Sequence, residues 1–73
     1  MGALEGIVGA NVRRLRKERG LTQEDVAGQA AISVRYLSSV EAGRENLTLQ
    51  VLERLAATLG TDPELLLRRS QGD

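Results

Sequence analysis

Cysteine, histidine, tryptophan and phenylalanine are all absent from this chain of 73 residues, and tyrosine, methionine and proline occur once each. Without cysteine there is no disulfide and no thiolate metal site. Without histidine or cysteine there is neither an imidazole base nor a thiolate nucleophile. The scarcity of aromatic rings leaves an aliphatic core of Leu, Ile, Val and Ala. Net charge is missing too. Ten Lys and Arg balance ten Asp and Glu, so the total gives no argument for a nucleic-acid partner. Long hydrophobic runs are also lacking. The opening MGALEGIVGA is short and has no positive stretch before its apolar part, so neither a transmembrane helix nor a signal peptide is expected. The absence of cysteine fits a reducing cytosol, and the expected location is cytoplasmic.

A chain of this length makes one domain at most, with a core that is marginal unless its elements pack well or it oligomerises. Serines are present, but no base partner is evident apart from Lys17. The acids, Glu24 and Asp25 included, show no metal-ligand pattern, and there is no glycine-rich phosphate loop. The chain is therefore read as a non-enzyme, with no cofactor, no metal and no small-molecule ligand. Its charge distribution says more than its total. Arg13, Arg14, Arg16, Lys17 and Arg19 crowd one short stretch, and a neutral protein still presents a basic face where its cations cluster.

From residue 5 to residue 69 the pattern is helices with short connections. Val8, Val12 and Leu15 recur at helical spacing, which predicts a first helix over residues 5–19. Gly6 and Gly9 weaken its first turns by roughly 1 kcal/mol each relative to Ala, so fraying is expected there. Gly20 stops it. Thr22-Gln23-Glu24-Asp25 is a variant capping box opening a second helix, whose buried side is Val26, Ala27 and Ala30. A turn over residues 29–32 leads to Ser33, which caps a third helix with Leu37 and Val40 inward. Gly43 closes this unit. Thr48 caps a fourth helix with Leu49, Leu52, Leu55, Ala56 and Leu59 at helical spacing, and Gly60 stops it. Asp62-Pro63-Glu64 restarts a fifth helix carrying Leu65, Leu66 and Leu67 and ending near Arg69. Residues 1–4 and 70–73 are expected to fray.

The segment GLTQEDVAGQAAISVRYLSSVEAG (residues 20–43) thus reads as two short capped helices joined by a tight turn. That is the layout of a helix-turn-helix, about residues 22–41, which sets its second helix in the DNA major groove. The run RRLRKERGLTQEDVA (residues 13–27) resembles the start of a Cro/phage-repressor type, or XRE-like, helix-turn-helix domain. The run YLSSVEAGR (residues 36–44) resembles its recognition helix and exit, and residues 52–66 resemble its last two helices. The resemblance covers residues 7–67 and implies an all-α, compact five-helix fold of the lambda-repressor type. It departs at Ala31, where the family usually has glycine; an Ala in a left-handed turn costs on the order of 1 kcal/mol. It departs again at Asn46-Leu47-Thr48, in place of the commoner Asn-Pro-Ser. The N-L-T-L form resembles controller proteins of restriction-modification systems, which are small dimeric transcription regulators.

Candidate contacts to double-stranded DNA follow from chemistry and resemblance together. Gln23 sits at a helix N-terminus, where an anion meets free amides, and its own amide is a further donor; the plainer reading is an exposed polar residue. Ser33, Val34, Arg35, Tyr36, Ser38 and Ser39 form the outward side of the third helix. Arg35 matches guanine O6 and N7, Val34 suits a thymine methyl, the small serines let the helix sit deep, and Tyr36 suits a phosphate. Arg44, Asn46 and Thr48 put a cation, an amide and a capped helix start together, which suits a second phosphate; plain loop and cap chemistry accounts for Asn46 and Thr48 as well. The resemblance implies that Glu41 faces inward and pairs with Arg16, a structural ion pair.

One short helix reads few base pairs, so a homodimer on a pseudo-palindromic operator is expected, with half-sites roughly 34 Å apart. Leu65 is expected in the core, whereas Val51, Leu66 and Leu67 exceed what one small core requires and are candidates for the dimer interface; the alternative is that they finish the monomer core. The residues fit a repressor and an activator alike, and an activator would also contact RNA polymerase. The competing class is a protein-interaction module or antitoxin-like partner on the same fold, which has less need of Gln23, Arg35 and Arg44.

Overall fold

The computed structural model describes residues 3–69. Its elements are α1 (Ala3–Glu18), α2 (Gln23–Ala30), α3 (Val34–Glu41), α4 (Leu49–Leu59) and a 3-10 helix (Pro63–Leu67). The all-α class and the first four helices follow the sequence pattern. The fifth helix is a single 3-10 segment, opened by Asp62 without a side-chain cap and ended at Leu67. The expectation for residues 1, 2 and 70–73 lies outside the described residues.

Each interhelix boundary has a local cause. Thr22 Oγ1 accepts from the Asp25 amide at 3.0 Å while the Thr22 amide donates to Asp25 Oδ2 at 2.9 Å, a reciprocal capping box. Ser33 Oγ accepts from the Tyr36 amide at 3.0 Å, and Thr48 Oγ1 from the Val51 amide at 3.1 Å. The four α-helices also end alike. After each, a paired set of amides folds back on carbonyls of the last turn, as in Leu21 to Arg16, Ile32 to Ala27, Arg44 to Ser39 and Thr61 to Ala56. Glycine holds the left-handed position at three of these stops, and Ala31, at φ 60°, holds the fourth.

The core is aliphatic and lies where all the elements meet. Val8 and Val12 of α1 pack with Val26, Ala27 and Ala30 of α2, Leu37 and Val40 of α3, and Leu52, Leu55, Ala56 and Leu59 of α4, joined by Leu66.

Three expectations are corrected. The first concerns α1, which begins at Ala3 and remains helical through Gly6 and Gly9. Residues 3 and 4 are therefore ordered helix. Gly9 is buried, and a side chain there would overlap the Val40 carbonyl oxygen at the end of α3. Gly43 in turn lies so close to Gly6 that a Cβ would come within 3.1 Å of its Cα. The helix propensity lost at these glycines permits a backbone approach that larger residues forbid.

The second concerns the leucines after Pro63. Leu65 was expected in the core and Leu66 at a dimer face, but Leu66 is fully buried while Leu65 is 39% exposed. A 3-10 helix turns in three residues rather than 3.6, which shifts the inward position by one. Leu66 is therefore removed from the dimer candidates. Val51 is partly buried against the core, and Leu67 is exposed. The third is Leu49, which begins α4 and is 79% exposed, outside its buried stripe.

Candidate nucleic-acid interface

The outward face of α3 starts where Ser33 fixes the first turn and Leu37 and Val40 anchor the opposite side in the core. Positions i, i+1 and i+4 share a helix face, so Val34, Arg35 and Ser38 point away from the core, and all three are exposed. Ser39 and Tyr36 flank them, half-buried. Tyr36 packs on the core edge. Burial raises the pKa of its hydroxyl above the ordinary tyrosine value, the Glu45 charge adds to this, and the Arg54 charge opposes it. The Tyr36 hydroxyl is thus a neutral donor at physiological pH. Arg35 and Arg44 are exposed and form no ion pair among the described residues.

The loop after α3 brings Arg44, Asn46 and Thr48 to the surface. Thr48 is committed to its cap, as Ser33 is, but a hydroxyl accepting from a backbone amide keeps its own O–H for another acceptor.

Behind this face lies a buried polar hinge. Arg16 Nε donates to Glu41 Oε2 at 2.7 Å, and Arg16 Nη2 to Glu41 Oε1 at 3.0 Å. The two side chains are only 12% and 4% exposed. A bidentate guanidinium–carboxylate pair fixes orientation as well as distance. Arg16 Nη1 also donates to the Leu21 carbonyl at 3.0 Å, which ties the pair to the α1–α2 turn. Burial is the largest influence on Glu41 and pushes its pKa up. Hydrogen bonds from Arg16 and Gln23, with the charges of Arg16 and Arg13, outweigh it and hold the carboxyl below the usual glutamate range. The Glu41 hydrogen bond is what chiefly raises the pKa of Arg16.

Gln23 belongs to the same network. Its Nε2 donates to Glu41 Oε1 at 3.1 Å, so the start of α2 is fastened to the end of α3 through one carboxylate. The Gln23 side-chain oxygen and one amide hydrogen remain. The capping box has taken the Thr22 and Asp25 amides, so this helix end presents fewer free amides than an uncapped one.

Of the five cations between residues 13 and 19, three have an acidic partner, and only the pair made by Arg16 is buried. Arg14 and Arg19 lie 3.4 and 3.9 Å from the Glu18 carboxylate, while Arg16 is buried on Glu41. Arg13 and Lys17 are the exposed cations of α1 without an ion pair among the described residues.

Two positioning residues are absent from the sequence reading. Asn11 is 1% exposed, and its Nδ2 donates to the carbonyls of Leu66 at 2.9 Å and Arg68 at 2.8 Å, which fixes the 3-10 segment on α1. Its signal was legible: Asn11 sits three residues after Val8 and four before Leu15, inside the apolar stripe. Arg54 Nε donates to the Ala30 carbonyl at 2.9 Å, bracing the helix-turn-helix turn from α4. No periodicity marks it.

Comparison with known proteins agrees with this geometry. A family described as a helix-turn-helix domain matches residues 7–68. An uncharacterized HTH-type transcriptional regulator of Sinorhizobium fredii is 52% identical over 54 residues, covering 74% of this chain and 70% of the relative. Other relatives are longer: the chain spans 38% of the HTH-type transcriptional regulator DdrOP3 of Deinococcus deserti, at 55% identity. Among solved structures, the restriction-modification controller protein C.AhdI from Aeromonas hydrophila superposes with a TM-score of 0.84 at 32% identity, covering 89% of this chain and 98% of that one. The controller C.Esp1396I, solved as a tetramer with its natural 35 base-pair operator, gives 0.81 at 29% identity, covering 90% and 87%.

Proposed function

The chain belongs to the helix-turn-helix domain family, and from that premise we propose that it is a sequence-specific transcription regulator that binds a pseudo-palindromic operator in double-stranded DNA as a homodimer. The observation that carries this is the outward face of α3: an exposed arginine beside an exposed valine and serine, on a helix whose other side is locked into the core. Arg35 reads a base through its bidentate fork, Val34 and Ser38 set the fit to the groove, and Ser33, Tyr36 and Ser39 contribute at its edges. Gln23, Arg44, Asn46 and Thr48 position the domain on phosphates. Arg16 and Glu41 touch no DNA; they hold α1, α2 and α3 in one arrangement.

The N-L-T-L segment and the two controller structures support a restriction-modification controller as the regulator type. In this reading the described residues are one DNA-binding domain with no catalytic role. It acts in the cytoplasm, and an activating form contacts RNA polymerase through a further surface.

Selection from a random DNA pool at physiological salt tests the proposal. A pseudo-palindromic motif is expected. Arg35→Ala then relaxes preference at one or two positions of each half-site, costing roughly 1–3 kcal/mol. Failure to enrich any sequence overturns the reading in favour of a protein-interaction module.

A further inference from the structure

The last carbonyls of an α-helix have no amide partner inside it. At the end of α2, the Ala27 and Gly28 carbonyls are met by the amides of Ile32 and Ala31, at 3.0 and 3.4 Å. Ala30 has no solvent exposure, and the partner of its carbonyl comes from another helix: Arg54 Nε of α4, at 2.9 Å. α2 has no basic residue in its own last turn, so Arg54 also supplies the cation that a helix C-terminus favours. The Arg54 side chain is half-buried, with no other hydrogen bond and no ion pair among the described residues.

Only Ala31, Ile32 and Ser33 separate this braced carbonyl from α3. α3 has eight residues and is held at both ends. At its C-terminal end Glu41 takes Arg16 and Gln23. At its N-terminal end the corresponding restraint is Arg54, acting through the turn. Arg35 is the second residue of α3, so it lies at the Arg54 end, and the N-terminal residues of a recognition helix are those that meet base edges. The next residue, Tyr36, is within reach of the same guanidinium. Burial raises the pKa of its hydroxyl, the Glu45 charge adds to this, and the Arg54 charge opposes it. We propose that Arg54 is a specificity-positioning residue: by holding the Ala30 carbonyl from α4, it sets the aim of Arg35 into the groove while itself touching no DNA. This deepens the operator reading above and rests on it.

The bond restrains direction more than it adds to the core. Without it, Ala30 still packs with Val26, Ala27, Leu55, Ala56 and Leu59 in the same cluster. What is released is the turn, whose stop is a left-handed alanine and whose angle α3 inherits along its whole length. Base reading suffers first from such slack. A guanidinium on guanine needs two hydrogen bonds in one plane at good length. A flexible cation on a phosphate follows a small displacement and keeps its attraction. A slackened turn therefore loses discrimination between sequences while keeping most of its affinity for DNA in general.

Titrations of the selected operator and of a scrambled duplex with the full chain test this, at a temperature where circular dichroism shows every variant folded. Arg54→Met keeps the apolar stem and removes donor and charge. It should lower the ratio of operator to scrambled affinity about tenfold, within the worth of one bidentate base contact, with scrambled affinity nearly unchanged. The lost preference should fall at the base positions that Arg35→Ala relaxes. In an Arg35→Ala background, Arg54→Met should remove no further discrimination, because the two act through one contact. Arg54→Lys, whose ammonium still donates to the Ala30 carbonyl, should restore most of the ratio. Tyr36 gives a readout that needs no DNA. It is the one tyrosine and there is no tryptophan, so the ultraviolet ionisation curve belongs to it alone, and Arg54→Met should move that curve to higher pH. If Arg54→Met does not fold, the same comparisons are made in the Ala31→Gly background, with Ala31→Gly alone as reference. An Arg54→Met protein that discriminates like wild type, an equal loss on both duplexes, or an unmoved tyrosine curve overturns the inference and leaves the operator reading standing. If the wild type itself enriches no sequence, the operator reading fails and the inference goes with it.

Discussion

Glu41 is asked to do two things that a surface carboxylate does not do: remain charged while almost wholly buried, and hold side chains from two other helices. Arg16 and Gln23 make this feasible by donating to both of its oxygens. The arrangement is fragile toward loss of one partner. Arg16→Ala leaves a buried charge uncompensated and should cost about 3–5 kcal/mol, a large share of a small domain's stability of roughly 0.05–0.15 kcal/mol per residue. The pH dependence follows from the direction of the shift. The folded-state pKa of Glu41 lies below its unfolded value, so its contribution is fully present above the unfolded pKa and is lost as pH falls through the folded one. Thermal midpoints measured from pH 7 down to about pH 3 should therefore drop more steeply for wild type than for Glu41→Gln, which starts lower at neutral pH. Asp25, whose pKa is lowered by hydrogen bonds from the Thr22 amide and hydroxyl, titrates in both proteins, so the difference isolates Glu41. Parallel profiles would refute the assignment.

The helices themselves were legible from short-range chemistry. Thr22, Ser33 and Thr48 announce three N-termini because a hydroxyl there has one useful acceptor role, and Gly20, Gly43 and Gly60 announce three C-termini because few other residues tolerate the left-handed stop. The outward side of α3 was legible for the same reason: once Leu37 and Val40 are inward, the helix period dictates the rest. What escaped depends on contacts between elements. Gly9 looks like a weak helix residue in sequence, and only the approach of α3 gives it a purpose. The Leu65–Leu66 exchange depends on whether the last segment turns in 3.0 or 3.6 residues, which three consecutive leucines do not reveal. The tie from Gln23 to Glu41 spans residues far apart in the chain. Ala31 is the instructive intermediate case. Its left-handed strain is what the resemblance implies, since the family usually has glycine there, and the structure adds that the turn keeps the stop shared by the other helices, with Arg54 bracing the Ala30 carbonyl. Ala31→Gly should accordingly stabilise the domain by about 1 kcal/mol, a rise of roughly 4–8 °C in thermal midpoint for a chain of this size. An unchanged or lowered midpoint would mean that the surrounding contacts already favour Ala there.

At the scale of the whole molecule, a neutral chain that binds a polyanion must do so through the few cations left uncommitted. Glu18 and Glu41 engage Arg14, Arg19 and Arg16, so the basic stretch of α1 is a weaker argument for DNA than its sequence implies. Arg13 and Lys17 are left from that stretch, and Arg35 and Arg44, likewise exposed and unpaired among the described residues, add to them on and beside α3. Phosphate neutralisation releases counterions, and log K falls with log salt at about −0.9 per phosphate neutralised on duplex DNA. In a homodimer every cation counts twice. If Arg44 neutralises one phosphate per protomer, Arg44→Ala should flatten the salt slope of operator binding by about 1.8. It should weaken selected and unselected sequences by the same factor, since a phosphate carries no base identity. Titrations of labelled operator and of scrambled duplex at several salt concentrations separate the outcomes. An unchanged slope would remove Arg44 from the backbone contacts, and an altered base preference would move it into the reading surface beside Arg35. The same titrations with Arg35→Ala supply the contrast: sequence preference should relax at its base positions by far more than the affinity for scrambled DNA declines, because a guanidinium turned into the groove discriminates bases while one on the backbone only attracts.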